Sequence, residues 1–249
     1  MTTFVARGLS LLGLLAAWTI CATFVSARTL PAPQTVLAFV LHEAAHGDLG
    51  YNIGMTFWRV AASYGLAMAF GTMMGVLLGR NRKADMVFDT LVLVLLNVPA
   101  LVLTILCYIW LGLTETAAIT AVALNKLPSV IVIVREGARS IDNDLEDMSR
   151  TFRLPATTWL RHILLPQLAP YVAAASRSGL ALVWKIVLVV ELLGRPNGVG
   201  YAISIYFQLF DMRGVLGYSV SFMSVMLAVE FLVLKPLENH VRRWRRAPG

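Results

Sequence analysis

The chain has 249 residues, of which 58% are hydrophobic and only 14% are charged. Soluble domains usually carry about 25% charged residues, so these proportions exclude an ordinary water-soluble protein and predict a chain whose solvent is largely lipid. The net charge is +7, but the basic residues lie in short segments between apolar runs, which favours membrane orientation over nucleic-acid binding as their role. The two cysteines, Cys21 and Cys107, lie far apart within apolar runs and provide neither a disulfide framework nor a metal-binding spacing.

Six apolar runs are predicted to be transmembrane helices, since crossing the hydrocarbon takes about 20 residues. They cover residues 9–25, 53–78, 86–111, 116–134, 168–190 and 215–234. The sequence therefore predicts an all-α membrane protein with about six spans. Because no clear internal repeat is present, we expect a single membrane domain over residues 1–249, with its core at 28–240.

The Lys and Arg residues predict the orientation of these spans. If the N-terminus is inside, most of the 21 basic residues fall in inner segments, and only Arg28, Arg195 and Arg213 fall in outer ones. Basic residues concentrate on the cytoplasmic side of membrane proteins, so we expect both termini in the cytoplasm. The basic tail at 242–246 is then interpreted as an anchor to anionic lipid.

Residues 1–27 have two interpretations. Arg7, the apolar stretch and Val25-Ser26-Ala27 resemble a signal peptide with its cleavage site. The stretch is long for a signal peptide and contains Trp18, which favours a retained first span that is accessory to the core. Cleavage would leave five spans in the same orientation.

The outer segment 27–52 is predicted to contain a short surface helix around Val36, Phe39 and Val40. It also contains the sequence His-Glu-Ala-Ala-His at 42–46, a spacing that zinc proteases use. Catalytic zinc needs a third ligand, none is apparent in the sequence, and the segment lies outside the predicted spans. An intramembrane zinc protease is therefore a remote alternative, and we expect neither a catalytic residue nor a metal.

Ionisable residues within or beside the spans are candidates for a solute pathway, because such residues usually face the bundle interior or a water-filled path. The candidates are Arg59, Arg177, Trp184, Lys185 and Glu191. Lys185 lies deepest in its span, where a snorkelling or ion-paired structural role is the alternative. Glu191 begins an outer segment and is better suited to capping or pairing. A cationic path would suit an anionic solute.

Two further features concern motion and energy. Pro99, inside the third predicted span, removes one helical hydrogen bond and predicts a kink, which serves either movement or packing. Nowhere does the chain contain Gly-Lys-Ser or Gly-Lys-Thr, so it has no phosphate-binding loop of the kind that binds ATP. Energy for any active process must come from elsewhere.

The inner segment 135–167 is predicted to contain two helices. Ile141, Leu145, Met148 and Phe152 recur at helical spacing, and mostly acidic residues fill the opposite face. This acidic face disfavours anionic lipid and favours a groove in a partner protein. A second helix is predicted after Pro155, ending at Pro166.

This segment resembles the inner loop of permeases from binding-protein-dependent ABC importers. That loop reads Glu-Ala-Ala, three residues, Gly, and then about a dozen residues to Leu-Pro. Asp147-Met148-Ser149 aligns with Glu-Ala-Ala, and 163–166 gives the Leu-Pro end. Asp147 keeps the charge of the family's glutamate, whereas Arg153 stands where the family has glycine, which leaves the docking geometry open.

Other motifs in the same order extend the resemblance over about residues 30 to 240. Leu-Pro-Ala-Pro at 30–33, Pro99, Glu-Leu-Leu-Gly at 191–194 and Gly-Val-Gly-Tyr at 198–201 are similar to family segments. The nearest branch resembles the nitrate, sulfonate, taurine and bicarbonate permeases, with importers of pyrimidine precursors close by. Neither the solute nor the pairing of two copies or of sister permeases is identified by these motifs.

The resemblance implies the permease fold of a type I ABC importer in the bacterial inner membrane, with no cofactor on this chain. It implies a cytoplasmic ABC ATPase dimer that uses ATP and Mg²⁺, a second permease subunit, and a periplasmic or lipid-anchored solute-binding protein. The residues that would couple to the ATPase are Leu145, Asp147, Met148, Ser149, Arg150, Phe152 and Arg153. An ion-driven secondary transporter is the alternative, although such proteins usually have more spans and internal repeats.

Overall fold

The computed structural model describes residues 2–234, and every regular element in that range is helical. The helices are α1 (Thr2–Phe24), α2 (Pro33–His46), α3 (Leu49–Arg80), α4 (Arg82–Asn97), α5 (Ala100–Leu111), α6 (Glu115–Arg139), α7 (Asn143–Thr151), α8 (Ala156–Trp159), α9 (Leu165–Gly194), α10 (Val199–Gln208) and α11 (Met212–Val229). A π-helical turn at Leu160–Leu164 joins α8 to α9, and another at Glu230–Leu234 follows α11. The all-α prediction is confirmed, and the basic tail lies outside the described residues.

Within residues 2–234, three helices are long and apolar enough to cross a membrane: Leu49–Arg80, Glu115–Arg139 and Met212–Leu232. The number rises to five if each of two bent helix pairs counts as one span. Five of the six predicted spans fall on these helices. The first predicted span falls on α1, whose apolar part, Leu12–Phe24, is shorter.

The prediction of a single kinked helix through Pro99 is wrong. The axes of α4 and α5 differ by 101°, and Val98 and Pro99 lie outside both helices. Val98 has φ −69° and ψ 124°, the extended conformation that a following proline imposes. Pro99 is then the N-cap residue of α5, where its missing N–H removes no helical bond.

The prediction that the second inner helix ends at Pro166 is also wrong, because the helical chain continues from α8 into α9. The Leu165 N–H donates to the Leu160 carbonyl, five residues back, in the π-helical turn. A wider turn of this kind relaxes the usual four-residue bonding just before the proline. The inner segment is consequently helical through most of its length.

The described chain divides into two compact units. Residues 2–56 and 191–228 form the first. Here the Trp18 indole N–H donates to the Pro31 carbonyl at 3.1 Å. The short outer helix predicted around Val36, Phe39 and Val40 is present as α2. A Cβ added to Gly217 would lie 2.5 Å from a ring carbon of Phe39, so α2 packs closely on α11.

Residues 57–190 and 229–234 form the second unit, and its core contains the crossing of α3 and α6. Three glycines spaced four apart on α3 face three small side chains spaced four apart on α6. The facing pairs are Gly71 with Val130, Gly75 with Val134, and Gly79 with Ala138. A Cβ at any of the three glycines would lie 2.6–2.8 Å from its neighbour, so the two backbones approach as closely as helices in membranes do at small residues.

Candidate coupling surface and solute pathway

The predicted coupling helix, α7, is tied to the second unit at its start. Ile141 is buried and packs with Leu164 and Leu168 in one apolar cluster. The Asp142 N–H donates to Gln167 Oε1 at 2.9 Å, and Asp142 Oδ1 accepts from the Asp144 N–H at 2.9 Å. The position of α7 is therefore fixed relative to the start of α9.

The apolar residues of α7, and Phe152 directly after it, remain uncovered after this anchoring. Leu145, Met148 and Phe152 are exposed by 38%, 40% and 72%, whereas Ser149 is buried. Asp147 is exposed beside them. Apolar side chains grouped on one exposed face, flanked by charge, are typical of a surface that a protein partner covers.

The end of α7 explains why a glycine suits position 153. Arg153 has φ 48°, a left-handed conformation that glycine adopts without strain. The Leu154 N–H donates to the Ser149 carbonyl at 3.0 Å, the six-to-one bond that closes a helix through a left-handed residue. Arg153 therefore follows the backbone path expected of glycine, with its side chain exposed.

An ion-pair network that sequence reasoning missed joins α6 to α4. One guanidinium nitrogen of Arg135 donates to Asp85 at 3.0 Å and to Asp89 at 2.6 Å. Arg139 also pairs with Asp85 and, at 2.8 Å, with Glu136. The network lies where α6 leads into the inner segment, so it ties the helix that precedes α7 to α4.

Arg59, a predicted pathway residue, is neutralised within the second unit. Its side chain is only 1% exposed, and its Nε and one Nη donate to the two carboxylate oxygens of Glu115 at 2.7 and 3.1 Å. Two-point pairing of this kind is the strongest form of Arg–carboxylate contact. Sequence reasoning missed Glu115, which follows the N-cap residue Thr114 in the first turn of α6.

The three predicted pathway residues on α9 do not share one face. Trp184 is buried, and its ring centroid lies 5.9 Å from that of Phe57. Lys185 and Arg177 are exposed. The structure therefore places one of these side chains inward and leaves two cations on the surface of the unit.

Glu191, the fifth candidate, organises a turn in the first unit. It is fully buried, and its Oε2 accepts from Thr56 Oγ1 and from the Gly200 N–H, both at 2.9 Å. Gly198 has φ 107°, and a Cβ there would lie 2.3 Å from Glu191 Cδ. The carboxylate and the glycine-rich turn therefore hold each other in place.

The His-Glu-Ala-Ala-His segment also belongs to the first unit. Glu43 Oε1 accepts from Tyr218 Oη at 2.9 Å and lies 3.5 Å from Tyr206 Oη. Burial, and then the charge of Glu43, raise the pKa of Tyr206, which keeps its hydroxyl protonated. His42 and His46 stack at 5.3 Å between ring centroids. Among the described side chains no set of three metal-ligating groups is found, and Glu43 is engaged in packing α2 onto its neighbours.

A comparison with known families decides the identity. The family described as binding-protein-dependent transport system inner membrane component matches residues 67–246. The chain belongs to this family of ABC importer permeases.

Relatives of this permease match it over most of its length. It is 30% identical to a protein of Escherichia coli (strain K12) named putative aliphatic sulfonates transport permease protein SsuC, over 76% of this chain and 73% of that one. A Bacillus subtilis (strain 168) protein of the same name is 27% identical over 90% and 80%. The nitrate import permease protein NrtB of Synechococcus elongatus is 27% identical over 76% and 71%.

Solved structures support the permease fold. A chain from inward-facing crystals of the MetNI methionine ABC transporter superimposes with a TM-score of 0.66 at 18% identity, covering 78% of this chain and 95% of that one. A chain of an amino acid ABC transporter crystallised with histidines gives 0.64 at 18% identity, covering 80% and 97%. The predicted type I importer fold is confirmed.

The family establishes the general function. This chain is a multi-pass inner-membrane permease subunit that forms the solute translocation pathway of an ABC importer, while a separate partner hydrolyses ATP. The alternatives of an ion-driven carrier and a zinc protease are therefore set aside.

Lys126 is buried within a predicted membrane span but was not among the predicted pathway residues. Lys126 on α6 is 2% exposed, and its Nζ donates to Ser129 Oγ at 3.2 Å. A Cβ at Gly179 would lie 2.3 Å from Lys126 Cε, so α9 closes over the side chain. A charge in the middle of a span costs about 2.5–3.5 kcal/mol on insertion scales, which is the sequence signal that could have found it.

Proposed function

We propose that this permease imports a small anionic solute of the sulfonate or nitrate class. The single observation that carries the proposal is that its relatives include permeases named for aliphatic sulfonates and for nitrate. The cations of the second unit agree with this class, since Lys126, Arg177 and Lys185 all lie on helices of the membrane domain. A taurine, bicarbonate or pyrimidine-precursor solute is the alternative within the same family branch.

The pathway is proposed to run along α9. Arg177 and Lys185 are exposed on this helix, where they can meet a solute or a second subunit, whereas Trp184 is buried beside Phe57. Arg59 has the contacts of a residue that holds helices together, because its charge is already matched by Glu115. Glu191, in the first unit, has the contacts of a residue that holds a turn in place, since Thr56 and a backbone N–H donate to it.

The coupling surface is proposed to be α7 with the turn that follows it. The exposed strip of Leu145, Met148 and Phe152, with Asp147 beside it, fits a groove in a cytoplasmic ATPase. Ser149, Arg150 and Arg153 complete the predicted docking segment. Since α7 is tied to α9 through Gln167, movement of the docked ATPase reaches the proposed path directly.

The assembly is proposed to contain two permease subunits, an ATPase dimer that uses ATP and Mg²⁺, and a periplasmic or lipid-anchored solute-binding protein. Both permease termini are proposed to be cytoplasmic, which places α7 on the ATPase side. Residues 1–249 are proposed to act as one membrane domain, with the first span accessory to the core at 28–240.

Competition for uptake tests the solute class. Cells expressing the complete transporter should import radiolabelled methanesulfonate or nitrate, with unlabelled sulfonates or nitrate competing and a neutral pyrimidine failing to compete. The expected result follows because a cationic path stabilises an anion in a low-dielectric site. Efficient competition by the neutral pyrimidine alone would replace the anion proposal by the pyrimidine-precursor alternative.

A further inference from the structure

Lys126 is the one charged residue in the predicted span 116–134 and lies at its centre. Its Nζ has a hydroxyl partner, Ser129, and none of the carboxylates that the structure describes lies within ion-pair distance of it. By contrast, the buried Arg59 and Arg135 of the same unit each have carboxylate partners. Lys126 therefore differs from the cations whose role is to hold helices together.

The neighbour of Lys126 on α9 is a glycine at a bend. A Cβ at Gly179 would lie 2.8 Å from Nζ, so the α9 backbone approaches the ammonium group closely at a residue without a side chain. The helical axis turns by 44° between Ala156–Arg177 and Leu182–Gly194, and Gly179 lies in the interval between them. The contact that covers Lys126 thus coincides with the part of α9 that departs from a straight helix.

A buried ammonium group that lacks a negative partner is poorly stabilised. Burial removes its hydrating water, and one hydrogen bond to a hydroxyl replaces only part of the lost stabilisation. An incoming anion would supply the missing charge, and inside the bundle this attraction would be stronger than in water. A neutral or cationic solute would gain nothing from the same position. The site is therefore suited to a small oxyanion with one negative charge.

We propose that Lys126 binds the anionic group of the solute during transport, when movement of α9 at Gly179 uncovers the ammonium group. The proposal rests on the proposed function, and it names the residue that selects for negative charge. Ser129, already within hydrogen-bond distance of Nζ, is placed to donate to the same anion.

Uptake kinetics in the complete transporter test this assignment. With radiolabelled methanesulfonate and nitrate as probes, Lys126→Met should raise the KM for uptake at least about tenfold, as expected for loss of a buried charge partner. Lys126→Arg should retain uptake with a smaller change, because it keeps the charge. Lys83→Met, the same change at an exposed lysine, serves as the matched control and should behave as wild type.

Chemical rescue separates charge from packing. Cys21 and Cys107 are first replaced by alanine, and Lys126→Cys is introduced, which should raise the KM for both anions as Lys126→Met does. Reaction with aminoethyl methanethiosulfonate during the remaining turnover attaches a primary amine and should return the KM to the wild-type range. The sulfonatoethyl reagent, which attaches a negative charge, should not restore it.

The outcomes distinguish the inference from the function it rests on. Suppose that wild type imports either anion. An unchanged KM in Lys126→Met, or a KM of Lys126→Cys that the aminoethyl group does not restore, then overturns the role of Lys126 and leaves the permease function standing. Failure of wild type to import any of these anions overturns both. If Lys126→Met does not assemble, the rescue experiment alone decides.

Discussion

At the residue scale, the left-handed backbone of Arg153 gives a direct test of the coupling turn. Replacing Arg153 by glycine should stabilise the protein by about 0.5–1 kcal/mol, since a non-glycine residue is strained in this conformation. The detergent-solubilised variant should melt about 2–4 °C higher if the gain reaches 1 kcal/mol. Association with the ATPase should be retained, because the backbone path is unchanged.

A helical position two residues earlier provides the control. Thr151→Gly lies in the last turn of α7, where glycine weakens a helix by about 1 kcal/mol. It should therefore lower the melting temperature. Equal destabilisation by both glycines would show that position 153 does not require the left-handed conformation.

The sequence indicates some of these residues well and others poorly. Arg153 was singled out because a family pattern has glycine at its position, and the backbone angle then supplies the reason. Lys126 carried an equally clear signal, a lone charge in the centre of an apolar run, but only the structure shows that α9 covers it. The pairing of Arg59 with Glu115 joins residues 56 apart in sequence, and no local pattern predicts such a contact.

At the scale of single elements, α7 should be necessary for ATPase association. Asp147→Arg together with Phe152→Asp reverses the charge of the strip and places a carboxylate in its most exposed apolar position. A buried carboxylate without a partner and a reversed charge both oppose docking. Co-purification of the ATPase should be lost, while the permease still inserts into the membrane.

The same two types of substitution, Asp→Arg and Phe→Asp, made outside α7 test whether the loss of ATPase association is specific to α7. Asp48→Arg with Phe210→Asp alters two exposed residues of the other unit, on the predicted outer side. This control should retain the ATPase. Normal ATPase association of the Asp147 and Phe152 double variant would refute docking through α7.

The crossing of α3 and α6 should depend on its glycines. Gly75→Leu would place a side chain where even a Cβ lies 2.8 Å from Val134 Cβ, and overpacking of this kind costs about 1–3 kcal/mol or more. Yield and melting temperature should both fall. Gly65→Leu, in the same helix with no heavy atom within 4 Å of its added Cβ, should leave both nearly unchanged.

The positions of the helices were predictable from apolar periodicity, whereas the effects of Pro99 and Pro166 on those helices were not. Pro99 was expected to kink one helix and instead separates two, because the residue before it is forced into an extended conformation. Pro166 was expected to end a helix and is instead absorbed by the π-helical turn before it. In each case the outcome depends on which backbone bonds the neighbouring turns can rearrange, and a pattern of side chains does not specify this.

At the scale of the whole molecule, the first span should be dispensable for coupling. The large apolar side chains of α1 are mostly exposed, including Leu12, Ile20 and Phe24, and the family match begins only at residue 67. Replacing residues 2–24 by a cleavable signal peptide should keep the orientation of the remaining spans and retain both ATPase association and uptake. Loss of either would show that α1 belongs to the core.

The class of the molecule was predictable because composition acts over the whole chain. A chain with so few charged residues has a membrane as its solvent, and a helical inner segment without an ATP-binding motif points to a partner that supplies energy. Solute identity is different, since it depends on the placement of a few side chains such as Lys126 within the bundle. Those placements arise from contacts among α3, α6 and α9 that lie far apart in sequence.

The uncovered strip on α7 also bears on how the transporter is made. Leu145, Met148 and Phe152 would stand in water on any permease molecule synthesised before its ATPase, and exposed apolar groups of this kind promote aggregation and proteolysis. Balanced production of the two subunits would protect the nascent permease. Surplus permease should therefore be short-lived in cells, and its half-life should lengthen when the ATPase is supplied together with it.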